Sequence, residues 1–310
     1  MQKHLSMKYL DPKNDLTFKR IFGEHPHLCM SLLNSLLPLD EGQKIVELSY
    51  QTVELVPEIP ILKNSLVDVR CTDNRGRQFI VEMQMFWSES FKSRVVFNAS
   101  KAYVKQLDSA KEYKLLQPVY ALSLVNENFE HDMDEYYHHY RIANVHNMEK
   151  RIEGLEFVFI ELPKFKSKNI TEKKLQVLWL RFLTEIHEGT TQIPQDLLED
   201  ALTKEALQYL ENSSYTKQQL IQYDKYWDTV RTERSAYMDA EEKGKAEGRA
   251  EGRAEGRAEG VMLSAIMLLR NNIDIEQVSQ MLNLSNDIVR KLKYLLEKYG
   301  DSAENHFNEI

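Results

Sequence analysis

Two cysteines in 310 residues, Cys29 and Cys71, are too few for a disulfide scaffold, and neither has a partner at metal-ligand spacing. No apolar run approaches the roughly 18 residues of a membrane-spanning helix. The longest, such as Val119–Val125, have the length of a strand. The first residues, MQKHLSMKYLDPKND, lack an apolar core followed by a small-residue cleavage site. That predicts a chain that is not exported and resides in a reducing cytoplasm. An excess of positive charge is missing as well: 40 basic and 48 acidic residues leave a net charge of −8 and a pI near 5.7. The surface as a whole is therefore not built to grip a polyanion, although a local basic groove depends only on the local field. Residues 1–110 carry 14 Lys and Arg against 13 Asp and Glu, so the acidity lies mostly downstream. What is present, 42% hydrophobic and 28% charged residues, is the composition of an ordinary globular chain. Its length fits about two domains of roughly 150 residues each.

The pattern changes along the chain and predicts four segments: 1–165, 166–243, 244–260 and 261–310. The first mixes helices with β-rich runs, which makes it α/β or α+β. Asn14 or Asp15 is placed to cap a short helix carrying Leu16, Phe18, Ile21 and Phe22, and a second helix covers Pro26–Leu37. Strands are predicted at Ile45–Val56, Leu66–Thr72, Arg77–Met85, Val119–Val125 and Phe157–Leu162, with a helix over Ser88–Leu107. The second segment is helical. Asn169 with Glu172, and Thr216 with Gln219, have capping-box spacing, in which each side chain satisfies a free backbone N–H of a first helical turn.

Residues 244–260 repeat Ala-Glu-Gly-Arg with a period of four. Like charges then recur at i,i+4 and no favourable Glu–Arg pair forms at that spacing within the repeat. Each glycine also costs a helix about 1 kcal/mol relative to alanine. The repeat reads either as a solvated linker or as a helix that associates with a second copy along its glycine stripe. In the last segment, Ile275–Tyr299 breaks at Asn283–Asn286 and resembles a helix-turn-helix unit, with Arg290, Lys291, Lys293 and Lys298 on the second helix.

The stretch richest in chemistry is Leu66–Arg70, a turn, and Phe79–Gln84. Gly76 suits the left-handed position that ends a three-residue hairpin loop, Asn74-Arg75-Gly76. That loop pairs Asp73 with Arg77, and so sets Asp68 opposite Glu82. Side chains alternate along a strand, so Gln84 shares the face of Glu82 while Val81 and Met83 point into a core. Neighbouring carboxylates repel unless a cation lies between them. A hard divalent ion such as Mg²⁺ is the natural solution, and it can activate water and neutralise charge on a phosphate under attack. The alternative is an exposed hairpin edge bearing solvated acids.

Asp68 with Glu82-x-Gln84 on a hairpin resembles the core of the PD-(D/E)XK nucleases. The opening run Asp11-Pro12-Lys13-Asn14-Asp15-Leu16-Thr17-Phe18-Lys19-Arg20-Ile21-Phe22-Gly23 is similar to that of the Rpn recombination-promoting nucleases, also described as transposases of the same superfamily. Glu161-Leu162-Pro163-Lys164-Phe165 and the glycine repeat fit that family too. The resemblance covers residues 9–165 well and the rest loosely. It implies a mixed sheet flanked by helices, followed by an all-α region. It also implies a Mg²⁺-dependent (or Mn²⁺-dependent) DNA endonuclease serving recombination, mobile elements or phage defence. The other reading it leaves is a weakly active nuclease fold that binds DNA or a partner.

The resemblance implies Asp68 and Glu82 as metal ligands, with Asp15 able to complete the site; Asp15 is equally suited to an N-cap. Gln84 stands where the motif has lysine, and Val67 where it has proline. Glutamine carries no charge but can hydrogen-bond a nucleophilic water. Lys19, Arg20, Arg94, Lys101 and Lys105 are candidates for phosphate contacts, which position a duplex without reading its sequence. A dimer formed through the C-terminal region would suit a double-strand cut. Other clusters point to structure. The tract Glu130–Glu135 with His138 and His139 matches no closed zinc pattern, and Trp179, Phe182, Tyr223, Tyr226 and Trp227 are expected in a core.

Overall fold

The structure, a computed structural model, describes residues 8–51, 69–88, 90–107, 112–166 and 174–309. Asn14, not Asp15, caps the first helix: its side chain accepts the Leu16 N–H, and α1 (Asp15–Phe18) runs on as a π-helical turn to Gly23. Helix α2 (Pro26–Leu36) starts on proline, whose missing N–H would have gone unbonded there in any case. Then come β1 (Leu48–Tyr50), β2 (Val69–Asp73), β3 (Gln78–Gln84), α3 (Ser90–Val104), β4 (Val119–Val125), β5 (Tyr137–Asn144) and β6 (Asn147–Glu161).

Among the described residues these strands form one sheet in the order β1-β2-β3-β4-β6-β5. β1, β2 and β3 pair antiparallel, β3, β4 and β6 parallel, and β5 returns antiparallel on β6. Every residue of β4 is buried, as expected of a parallel strand covered on both faces. On one face α3 sets Phe91, Val95 and Ala99 against Ile80, Ala121 and Phe159. On the other, Phe18, Phe22 and Leu32 meet Val81, Leu122 and Val158.

Helices α4 (Lys174–Glu185), α5 (Gln195–Glu199) and α6 (Ala201–Leu210) follow. Leu178, Trp179, Phe182 and Leu207 belong to the same core as Phe22 and Val158. The boundary expected at 165 therefore runs through one continuous hydrophobic core. The Asn169–Glu172 capping box lies outside the described residues. The one at Thr216 forms, with the Thr216 N–H donating to Gln219 Oε1 at 2.9 Å and the Gln219 N–H to Thr216 Oγ1 at 3.3 Å.

Helix α7 (Lys217–Arg270) opens there, and the glycine repeat lies inside it as helix with every residue from 244 to 260 exposed. The chain divides into two compact units, 1–232 and 233–310. In the second, Ile266 and Leu269 pack with Val278 of α8 (Ile275–Leu282) and with Val289, Leu292 and Leu295 of α9 (Asn286–Tyr299). Asn283, at φ 51°, ends α8, and Ser285 caps α9. Among the described residues no helix is long and apolar enough to cross a membrane.

Candidate nuclease centre

The hairpin of β2 and β3 is built by its own turn. Gly76 sits at φ 82°, and the Asp73 carboxylate closes the loop by accepting the backbone N–H groups of Arg75 (3.1 Å) and Arg77 (2.9 Å). The Arg77 guanidinium bonds the other Asp73 oxygen at 2.7–2.8 Å. The resulting register pairs Val69 with Val81, Arg70 with Ile80 and Cys71 with Phe79. Asp68 lies outside the described residues.

β3 is flanked by β2 on one side and β4 on the other, so Glu82 does not stand on an exposed edge. Its residue is only 5% exposed. Glu82 Oε1 accepts a hydrogen bond from Asn98 Nδ2 at 3.2 Å. Glu82 Oε2 is fully buried, has no hydrogen-bond partner, and lies 4.0 Å from a guanidinium nitrogen of Arg94. Burial pushes the Glu82 carboxyl above its ordinary range, against the opposing pull of Arg94 and Asn98.

Gln84, two residues on, faces the same helix. Its Oε1 accepts from Arg94 at 2.8 Å and its Nε2 donates to the Phe86 carbonyl at 2.8 Å. Arg94, Asn98 and Lys101 follow one another at spacings of four and three along α3, and so share one of its faces. Asn98 was not among the residues that the sequence singled out. Its signal, an amide four residues after Arg94 on an amphipathic helix, acquires meaning only once the partner strand is known.

The other predicted residues occupy varied surroundings. Asp15 is the first residue of α1 and forms an ion pair with Lys19 at 2.6 Å. Arg20 stacks on the Tyr215 ring, 4.2 Å from its centroid, and donates to the Ser214 carbonyl at 3.1 Å. Lys101 is half-buried in α3, and Lys105 is exposed in the 3₁₀ turn that follows.

In the acidic and histidine-rich tract residues 131–135 are exposed, while the two later histidines are held by carboxylates. His138 lies 2.8 Å from the buried Glu161, which also bonds Lys164 at 2.8 Å and the Phe129 N–H at 2.8 Å. His139, on the opposite strand face, pairs with Glu156 at 2.7 Å. Among the described residues no group of three or more His, Cys, Asp or Glu could hold a metal.

A family model described as PD-(D/E)XK nuclease family transposase matches residues 12–240. The chain belongs to this family. No curated protein and no solved structure matches it. The match starts inside the opening motif, takes in the hairpin, α3 and the all-α region through α6, and stops in α7 before the glycine repeat. The mixed sheet with flanking helices, followed by helices alone, is the nuclease-family architecture. Nucleases of the PD-(D/E)XK type generally use a divalent metal. A buried carboxylate oxygen without a hydrogen-bond donor suits a hard cation that prefers oxygen ligands.

Proposed function

We propose that the protein is a divalent-metal-dependent DNA endonuclease, with Mg²⁺ as the expected ion and Mn²⁺ as a substitute. The observation that carries this reading is the fully buried Oε2 of Glu82, which has no hydrogen-bond partner, on β3 of the hairpin. Asp68 and Glu82 would hold the ion, with Asp15 as a third carboxylate at the start of α1. When bound, the metal would lower the pKa of a water and neutralise charge gathering on the phosphate.

Gln84 retains a free lone pair on Oε1, suited to accept a hydrogen bond from the attacking water and so orient it. The water oxygen bonds to phosphorus as the bond from phosphorus to the leaving sugar oxygen breaks, and one water proton balances that oxygen. Lys19, Arg20, Arg94, Lys101 and Lys105 would contact phosphates of the duplex and set it in place. Helix α3 supports this part, since Ser90–Val104 contains Lys92, Arg94 and Lys101 and no acid. Pairing of two copies through the C-terminal region would present two centres to two strands, and sedimentation at graded concentrations tests it. Recombination, mobile-element movement and phage defence would all be served by this chemistry.

A second reading is a weakly active nuclease fold that acts by holding DNA. The replacement of the motif lysine by Gln84, with both ends of its amide engaged, favours it. Covalently closed plasmid separates the two, because a circle has no ends to degrade. Wild type should nick it only with Mg²⁺, and Asp68→Ala should lose that activity. Equal results from the two proteins would leave the binding reading.

A further inference from the structure

Gln84 stands where the motif has lysine, and a glutamine brings no positive charge to the centre. Among the described residues Arg94 is the one cation within 4.0 Å of Glu82, and it also bonds Gln84 at 2.8 Å. We propose that Arg94 is a catalytic residue that supplies from α3 the charge missing at position 84, with Gln84 as its positioning residue. This rests on the nuclease reading and deepens it.

The guanidinium is held on two sides. Phe91, buried one turn earlier on α3, lies beneath it at 4.9 Å from ring centroid to guanidinium carbon. Gln84 fixes one of its terminal nitrogens and is itself anchored through Nε2 to the Phe86 carbonyl. A surface arginine that merely attracts phosphate has no need of such a clamp. The side chain is still 47% exposed, and Gln84 takes only one of its five N–H groups. A fixed donor aimed where charge develops is what lowers a barrier, because nothing has to reorganise during the reaction.

In this arrangement the non-bridging phosphate oxygens receive N–H donors from Arg94 as the water oxygen bonds to phosphorus and the leaving oxygen departs. Arg94 gives up and takes up no proton, since its guanidinium stays charged throughout. Gln84 serves both partners, with one Oε1 lone pair on Arg94 and the other left for the water. The 4.0 Å gap from Arg94 to Glu82 Oε2 is longer than a hydrogen bond. Arg94 therefore steadies that carboxylate without occupying it.

The test compares wild type, Arg94→Gln, Arg94→Lys and the double variant Gln84→Lys/Arg94→Gln. Single-turnover cleavage of plasmid with Mg²⁺ is measured beside anisotropy of a fluorescein-labelled duplex without divalent ion. Arg94→Gln should cut about 100-fold more slowly, the scale of losing one preorganised donor to developing charge. Its duplex affinity should fall by no more than about threefold, as for one screened surface contact. Arg94→Lys should be intermediate. The double variant, with a lysine restored to the strand, should recover at least about tenfold over Arg94→Gln, a non-additivity that a merely structural role would not produce.

The inference is overturned if Arg94→Gln cuts at the wild-type rate, if affinity and cleavage fall together, or if the double variant is no better than the single. Each of these outcomes leaves the nuclease reading intact. Wild type that leaves the plasmid closed overturns that reading and this inference with it.

Discussion

Glu82 is a carboxylate kept in a place unfavourable to its charge. Burial raises its pKa in the folded chain, so the native state holds that proton more tightly than the unfolded state does. Between the unfolded value, about 4.3, and the raised native value, stability falls as pH rises, and it stays lower above that window. In metal-free buffer Glu82→Gln should therefore melt a few degrees above wild type at pH 7–8, at roughly 2–4 °C per kcal/mol for a domain of this size. The gain should vanish near pH 4. Mg²⁺ should raise the melting temperature of wild type and leave that of Glu82→Gln unmoved. A Gln variant no more stable than wild type at neutral pH, or equally sensitive to Mg²⁺, would contradict this account of Oε2. At this scale the sequence made Glu82 and Gln84 legible, because strand alternation alone puts them on one face. Asn98 was not legible: an asparagine within a helix reads as solvated until the carboxylate across from it is located.

At the scale of elements, the β2–β3 hairpin could be read because one residue sets its loop. Gly76 adopts φ 82°, and a Cβ there would meet Gln117 Cγ at 3.1 Å. Gly76→Ala should cost about 1–2 kcal/mol in urea unfolding, and a loss near zero would show that the turn does not hold the register. The outer part of the sheet was much harder to read. β6 was expected over Phe157–Leu162 and runs from Asn147 to Glu161, because residues 147–153 are exposed and lack the alternation that marks a strand. They are strand through pairing with β5, an interaction that local pattern does not encode.

The opening motif carried the most specific resemblance, yet much of it is packing. The Asp11 N–H donates to the Tyr223 hydroxyl at 2.9 Å, Asn14 Nδ2 to the Tyr223 carbonyl at 3.2 Å, and Lys13 Nζ to the Leu183 carbonyl at 3.1 Å. These bonds tie the start of the chain to α4 and to the first turns of α7. Tyr223→Phe leaves the Asp11 N–H without its acceptor and should lose about 1 kcal/mol. An unchanged urea midpoint would show that the contact is not needed.

For the whole molecule, the family match and the two compact units divide the chain at nearly the same place, 240 and 232. The second unit has its own core, and its helix break at Asn283–Asn286 was legible from the spacing of Val278, Val289, Leu292 and Leu295. The state of the glycine repeat was not legible, because propensity and charge spacing both argue against an isolated helix there. It is helical nonetheless, and a Cβ added at Gly248, Gly252 or Gly256 would meet nothing within 4 Å. Replacing these three by alanine should raise helicity in circular dichroism and deepen stability by up to about 1 kcal/mol per site. A loss of helicity would mean that a second chain needs the bare backbone.

The central claim is that the carboxylate face of the hairpin is a metal-dependent centre for cutting DNA. Single-turnover cleavage of closed-circular DNA by wild type and Glu82→Gln, each with and without Mg²⁺, tests it most directly. The expected result is nicking by wild type with Mg²⁺ alone, and a loss of at least about 100-fold in a Gln variant that still folds and binds duplex. Cleavage by the Gln variant at the wild-type rate, or by either protein without a divalent ion, would contradict it.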